Sequence, residues 1–389
     1  MKLFYALIIL IFFQNCSFDN KSGIWKNTQT KSVEENNLFK EFETLKSSEQ
    51  EFNKKVNLKK NFKFKIKKPS DNYNWKDIFY SENNNYKNFK YNELNQIIFT
   101  SKKIKKNKVN NLLFEDTNLI ISDVKGNIII FSVSDNKIIS KLNFYKKKYK
   151  KINKILNLIV ENNIIYISDN LGYLYAYNYK KNKIIWAKNY KIPFRSNLKI
   201  YNNFLIASDQ NNNLIFYNKN DGTIKKSIPT EETIIKNNFL NNLSLFEETL
   251  YFLNTYGSLY SIDLSTTRIS WFINLNRSLD LNPSNLFNGN EIIGLKNKLI
   301  VSSDQFTYVI NRNNGSITHK KNYVSIIKPI LIDDYIFSIS KNNLLIAMNL
   351  STGEIIYSYD INQKIANFLN TKKHKVEFKK IMLLNNKIF

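Results

Sequence analysis

Residues 250–271 read Leu250-Tyr-Phe-Leu-Asn254-Thr-Tyr-Gly257-Ser-Leu259-Tyr-Ser-Ile-Asp263-Leu-Ser-Thr-Thr-Arg-Ile-Ser-Trp271. A short apolar strand ends in a polar residue, a tight turn closes on Gly257, and a second alternating strand runs to Asp263. A further turn leads to a third strand that carries Trp271. The pattern recurs on both sides, with polar strand-end markers at Asp123, Asp169, Asp209, Asn254, Asp304 and Ser340. Their spacings are 46, 40, 45, 50 and 36 residues. The turn three residues past the marker is Gly126, Gly172, Asn212, Gly257 or Asn343 in five of the six copies. Gly and Asn are the residues that take positive φ at low cost, so the turn has one chemistry throughout. A repeat of about 40–50 residues with several strands and no helix predicts a β-propeller blade, whose apolar face is buried by stacking on its neighbours. A solenoid competes, but its repeats are usually shorter. The fold class is therefore all-β.

The composition narrows the chemistry. The 389 residues carry a net charge of +26, and 43% are hydrophobic, too many for a disordered chain. A lone Cys, Cys16, excludes an intramolecular disulfide and a Cys-based metal site. Two His, His319 and His374, argue against a His-rich metal centre. The nine Gly form no phosphate-binding loop. Lysines cluster at 102–108 and 146–151, between strand patterns where solvated loops are expected. No nucleic-acid motif accompanies them, so no nucleic-acid partner is expected. The residues Asp123, Asp169, Asp209 and Asp304 recur once per copy, the mark of turn structure rather than of catalysis.

The N-terminus predicts export. Lys2 precedes a largely apolar run from Leu3 to Phe13, too short to span a bilayer comfortably and right for a signal peptide over 1–15. Cys16 follows directly, where a lipoprotein signal places the acylated Cys, although Phe13 and Asn15 depart from the usual lipobox. Residues 16–70 are expected to be a lipidated tether with a short helix, because Leu38, Phe42, Leu45, Phe52 and Val56 fall on one helical face. The β-propeller is expected over 71–389.

The tags Asn178 to Trp186 and Asp263 to Trp271 resemble the quinoprotein-like (PQQ-type) repeat, in which Trp186 and Trp271 would pack between blades. In the sixth copy Tyr357 takes the Trp place. Two functions share this repeat. A quinone-dependent dehydrogenase would hold quinone and Ca²⁺ at the ring centre, and no suitable acidic cluster is evident. The alternative is a binding scaffold. Cys16-Ser-Phe-Asp-Asn-Lys-Ser-Gly-Ile-Trp25 and the segment opened by Asn74-Trp75 resemble the BamB lipoproteins. That resemblance implies an eight-bladed propeller, lipid-anchored to the periplasmic face of the outer membrane. It implies no enzyme activity and no cofactor. The implied partners are the periplasmic POTRA domains of BamA, other subunits of the barrel-assembly machinery, and unfolded outer-membrane proteins. The implied contact loop holds Ile192, Phe194 and Arg195, with Pro193 off-pattern; a second contact falls near 236–242 without its acids. Another periplasmic propeller lipoprotein remains an alternative.

After the sixth copy, Leu384-Asn-Asn-Lys-Ile-Phe389 lines up with Leu295-Lys-Asn-Lys-Leu-Ile300, the opening of another copy. The expectation is a C-terminally truncated propeller, lacking about one to two blades, with residues 75–99 a candidate for completing the last blade.

Overall fold

The computed structural model describes residues 16–18, 25–27, 51–72, 74–92, 109–233, 239–276, 286–303, 305–373 and 376–389. The chain forms two units, 1–50 and 51–389. In the first, Cys16–Phe18 pairs antiparallel with Trp25–Asn27. The expected signal peptide and the Leu38, Phe42 and Leu45 positions of the expected helix lie outside the described residues.

In the second unit, six four-stranded antiparallel meanders follow one another along the chain, one for each copy of the repeat. Blade 1 is Val109–Glu115, Asn118–Asp123, Asn127–Ser132 and Lys137–Asn143. Blade 2 is Leu156–Glu161, Ile164–Asp169, Tyr173–Asn178 and Lys183–Asn189. Blade 3 is Lys199–Tyr201, Phe204–Ser208, Leu214–Asn218 and Ile224–Ile228. Blade 4 is Asn242–Phe246, Thr249–Leu253, Ser258–Asp263 and Arg268–Asn274. Blade 5 is Ile293–Leu295, Lys298–Ser302, Thr307–Asn311 and Ile317–Lys321. Blade 6 is Ile330–Ile332, Tyr335–Ile339, Leu344–Asn349 and Ile355–Asp360. The repeat pattern exposed three strands per copy; the fourth is the first strand of each blade, which precedes the marker.

The middle strands are largely buried, whereas the fourth strands of blades 1, 2, 3 and 5 are more exposed and carry Lys, which protects an outer edge from pairing with other chains. In every blade the pairing of strands three and four slips by one residue at the same place, for example between Ala176 and Tyr177 and between Ser261 and Ile262. Such bulges increase local twist. The apolar clusters straddle neighbours. Leu113, Ile128 and Leu158 join blades 1 and 2; Tyr166, Trp186 and Leu205 join 2 and 3; Phe216, Leu243 and Phe252 join 3 and 4. Leu253, Leu299 and Tyr308 join blades 4 and 5, and Ile300, Leu331 and Met348 join 5 and 6. Each fully buried side chain of this size stabilises by about 1.5–3 kcal/mol, so the core lies between blades rather than within them.

The predicted turn chemistry holds. Asn212 (φ 69°) and Asn343 (φ 59°) take the left-handed conformation of Gly126, Gly172 and Gly257 at the same place. The seventh sheet is different. The C-terminal hairpin that the copies predict does form, with Leu383–Leu384 paired to Lys387–Ile388. Its other neighbour is Asn88–Phe89, which pairs with Leu383–Leu384 in parallel.

Residues 51–70 depart from the expected helix-bearing tether, for they belong to the propeller unit. Phe52 and Val56 lie in an extended segment, not a helix. Val56 bridges to Ser358 on the outer edge of blade 6, with N–H···O bonds of 3.2 and 3.0 Å. Phe62, Phe64 and Ile66 then pack on the cluster of Tyr335, Phe337, Ala347 and Ile356. An outer strand edge and an aromatic face outweigh the weak 3.6-residue periodicity of this stretch.

Candidate functional site

The position occupied by Trp in the fourth strand does one job around the ring. Trp186 in blade 2 donates from Nε1 to the carbonyl of Lys219 at 2.9 Å and lies flat on Gly222 of blade 3. Trp271 in blade 4 donates to the carbonyl of Arg312 at 3.1 Å and covers Gly315 of blade 5. His319 takes the same place against Gly353 of blade 6, with Nε2 3.2 Å from the Ser351 carbonyl. Polar side chains substitute elsewhere. Lys226 of blade 3 donates to the carbonyl of Thr267 at 2.8 Å, and Ser140 of blade 1 reaches Asn182 at 3.3 Å. Asn182 and Thr267 both have positive φ, like the glycines they replace. A Cβ on Gly315 would stand 2.6 Å from Cε3 of Trp271, so the indole and the missing side chain belong together. Tyr357, the last of the series, stacks on Tyr359 and packs on the same cluster as Phe62 and Phe64.

The repeated acids are turn caps, as their recurrence suggested. Asp169 Oδ1 accepts from the N–H of Leu171 and Tyr173 at 2.8 Å each, and its Oδ2 accepts from the Tyr145 hydroxyl at 2.6 Å. Asp123 and Asp209 accept equivalent N–H pairs. Asp304 and His374 lie outside the described residues, as do Lys102 to Lys108. Lys146 to Lys151 lie exposed in the expected connection between strands, which holds a short 3-10 turn at Lys147–Tyr149. Among the described residues, no group of three or more His, Cys, Asp or Glu is placed to hold a metal ion.

Residues 124–359, more than half of the chain, match the family of the outer membrane protein assembly factor BamB. The chain belongs to the BamB family. The crystal structure of BamB from Moraxella catarrhalis superposes with a TM-score of 0.54 at 13% identity, over 65% of this chain and 75% of that one. The computationally designed Ika8 protein gives a TM-score of 0.53 at 11% identity, over 70% of this chain and 79% of that one. At such identities the likeness shows the fold alone. No curated protein sequence matches the chain.

Within this BamB-family frame, the loop between blades 2 and 3 is tightly built. The Phe194 N–H donates to the Asp169 carbonyl at 3.0 Å and the Arg195 N–H to the Ser208 carbonyl at 3.0 Å. The Arg195 carbonyl accepts from the Asn241 N–H at 2.7 Å. Phe194 is 2% exposed and packs among Leu198, Leu205 and Tyr217. It is therefore a core residue that props the loop, not a surface anchor, because the loop folds inward against the strand end at Asp209. Ile192 and Arg195 are half-buried. Nε of Arg195 is enclosed with no hydrogen-bond partner among the described residues. Burial lowers the guanidinium pKa, yet an Arg stays charged. Of the second expected contact, 239–242 is described. Glu231, just upstream, is engaged within the fold, accepting from Ser258 Oγ at 2.7 Å, from Asn254 Nδ2 at 2.8 Å and from the Tyr260 hydroxyl.

Sequence reasoning missed the axis of the ring, which residues 74–89 fill. Trp75 pairs with Phe114 of blade 1, and Asp77 with Ile159 of blade 2. Lys199 of blade 3 donates from Nζ to Asp77 at 2.6 Å, to Asn84 Oδ1 at 2.7 Å and to the Ser81 carbonyl at 2.9 Å. Asn84 Nδ2 donates at 2.8 Å to the carbonyls of Leu243 and Ile292, linking blades 4 and 5. Asn85 exchanges two hydrogen bonds with Leu331 of blade 6. Lys328 donates to the carbonyls of Phe79 and Asn84, each at 2.9 Å, under the ring of Tyr86. Trp75, Tyr80, Tyr86 and Phe89 pack on Ile381 and Leu383 of the seventh sheet. Beside this segment opens a cavity of about 720 Å³, whose lining includes Asp71, Lys76, Glu82, Glu161 and Glu247. The signals were present in the sequence: single lysines within the apolar runs 198–200 and 326–330, and an Asn run at 83–85.

Proposed function

We propose that the chain is a non-catalytic scaffold that binds BamA and assists the folding and insertion of outer-membrane β-barrel proteins. Family membership over the central blades supports this, and the observation that carries it is Arg195. A half-buried guanidinium whose Nε has no acceptor among the described residues is held by three backbone hydrogen bonds in a surface loop. Such a group gains most from an acidic group on a partner, and interface Arg side chains are frequent anchors. Ile192 adds apolar contact, while Phe194 sets the loop. The reading includes the outer membrane as location, with a lipid anchor on Cys16, the first residue once 1–15 are removed, and the POTRA domains and other assembly subunits as partners.

The dehydrogenase alternative loses ground on steric terms. At the ring centre, where a quinone would lie, the axis is occupied by Asp77, Asn84, Asn85 and their hydrogen bonds to the blades. The test is co-purification from detergent-solubilised outer membrane. Arg195→Glu should weaken BamA recovery by about thirtyfold, the equivalent of about 2 kcal/mol, with an unchanged melting temperature. Full recovery of BamA with Arg195→Glu would reject the loop. Quinone-dependent dye reduction by the purified chain would reject the scaffold.

A further inference from the structure

One surface patch has no role in the fold or in the proposed BamA contact. After blade 6 the chain forms the helix Ile361–Leu369, capped by Asp360, which accepts from the Gln363 N–H at 3.0 Å. The helix buries Asn362 and Ala366 against the propeller. Its end points the other way: Phe368 is 84% exposed, the highest of any large apolar side chain among the described residues, and Leu369 is 58% exposed. Asn370, in the left-handed conformation, ends the helix there. Lysines lie on the helix and on the segments beside it. Lys364 and Lys372 are exposed, and Lys373 pairs with Asp360 at 2.5 Å. The strap adds more. Because Val56 is opposite Ser358, Lys54 stands in register with Asp360, and the Ser358 hydroxyl donates to the Lys54 carbonyl. Lys54 and Lys55 are exposed. At the other end of the helix from Phe368, the N-cap Asp360 is engaged by the Gln363 N–H and by Lys373, and the exposed Glu377 follows Val376, whose N–H donates to Asn362 of the helix.

We propose that this patch docks on an anionic lipid bilayer, with Phe368 and Leu369 entering the headgroup region and Lys54, Lys55, Lys364 and Lys372 contacting lipid phosphates. Two projecting apolar side chains at a helix end, with exposed cations on the same helix, just after it and on the segment beside its start, suit a broad, fluid, negatively charged surface. This contact is separate from any acyl chain on Cys16. It would hold the sixth blade toward the membrane whether or not the chain is acylated.

The test uses the full chain carrying Cys16→Ser, so that no acyl chain contributes. The probe is flotation with vesicles of phosphatidylglycerol and phosphatidylethanolamine, against vesicles of phosphatidylcholine. Any contribution of the apolar run at 3–13 is common to all variants and cancels. Adding Phe368→Asp and Leu369→Asp should weaken binding to anionic vesicles at least tenfold. Lys364→Gln with Lys372→Gln should weaken it roughly fivefold per lysine, an effect lost in about 0.5 M salt. In Phe368→Trp, brominated lipids should quench fluorescence beyond the background of the native tryptophans. Equal flotation of all variants would overturn the proposal, as would a Trp at 368 that bromolipid does not quench. Unchanged vesicle binding with loss of an acidic protein partner would overturn it as well. All four side chains are exposed, so melting temperatures should stay constant and exclude misfolding as the cause.

Discussion

The six blades and the segment 51–89 hold their places by different physics. A blade is specified by repetition: alternating strands, a left-handed turn residue, and a fourth-strand side chain seated on the next blade. Its contacts are mostly apolar, and the five junctions between successive blades repeat them with small variations. The segment 51–89 has no repeat and makes each contact once. Its outer part uses aromatic packing on blade 6, and its inner part uses amides and buried lysines at the axis. The difference teaches that in this chain the wall of the ring is generic while its centre is specific. Polar groups facing a channel must be satisfied one by one, since an unpaired buried group costs about 1–3 kcal/mol.

The sharpest way to break this contrast is at Asp77. Asp77→Ala leaves Lys199, which is fully buried, without its counter-charge. Breaking a buried pair from one side should cost about 3–5 kcal/mol in denaturant unfolding. A loss below about 1 kcal/mol would mean that the axis segment contributes little to the ring. Next in size is the pH dependence of Lys328. Burial pushes this amine down to about 7. An unfolded lysine titrates near about 10.4, so between these values the unfolded chain binds the additional proton. Stability should therefore rise with pH from about 7 to about 10, by at most about 1.4 kcal/mol per pH unit. Lys328→Met should flatten that rise when unfolding free energy is measured across the range.

The generic side of the contrast is probed at the tag turns. Gly315→Ala combines positive φ with a Cβ pressed on Trp271, and should cost about 2 kcal/mol or more. Thr267 occupies the equivalent turn at φ 54°, which a β-branched residue adopts only under strain. Thr267→Gly should therefore be stabilising or neutral, although it removes the hydroxyl that Lys226 bonds. Opposite signs at 315 and 267 would support a shared turn geometry; equal losses would mean that the blades are less alike than they look. The smallest effect is expected at the strap. Phe64→Ala should cost about 1–2 kcal/mol, because the ring is half-buried against Tyr335 and Phe337. It should also speed proteolysis near 51–66 before the blades are cut.

Much was legible before any coordinates. The markers, the Asn and Gly turns and the Trp tags each depend on local backbone geometry, so residue type and spacing carry them. The reading of Asp169 and Asp209 as turn caps follows from the same local rule. Two expectations failed where long-range contacts decided. Phe52 and Val56 suggested one face of a helix, but pairing of Val56 with Ser358, 302 residues away, made the segment extended. The BamB resemblance implied a partner contact at Phe194, but the loop bends in and buries it between Tyr190 and Tyr217.

What the chain alone determines, then, is the blade: its period, its turns and the side chain that grips the next blade, all set by interactions within about fifty residues. What the tertiary structure decides is the use of the unrepeated part. Nothing in residues 74–89 states that Asn84 will bridge Leu243 and Ile292, or that Asp77 will meet Lys199. Those partners are more than a hundred residues apart in sequence and become neighbours once the six blades are arranged around this segment. A polar side chain has no periodic signature, and its partner is set by where the ring places it.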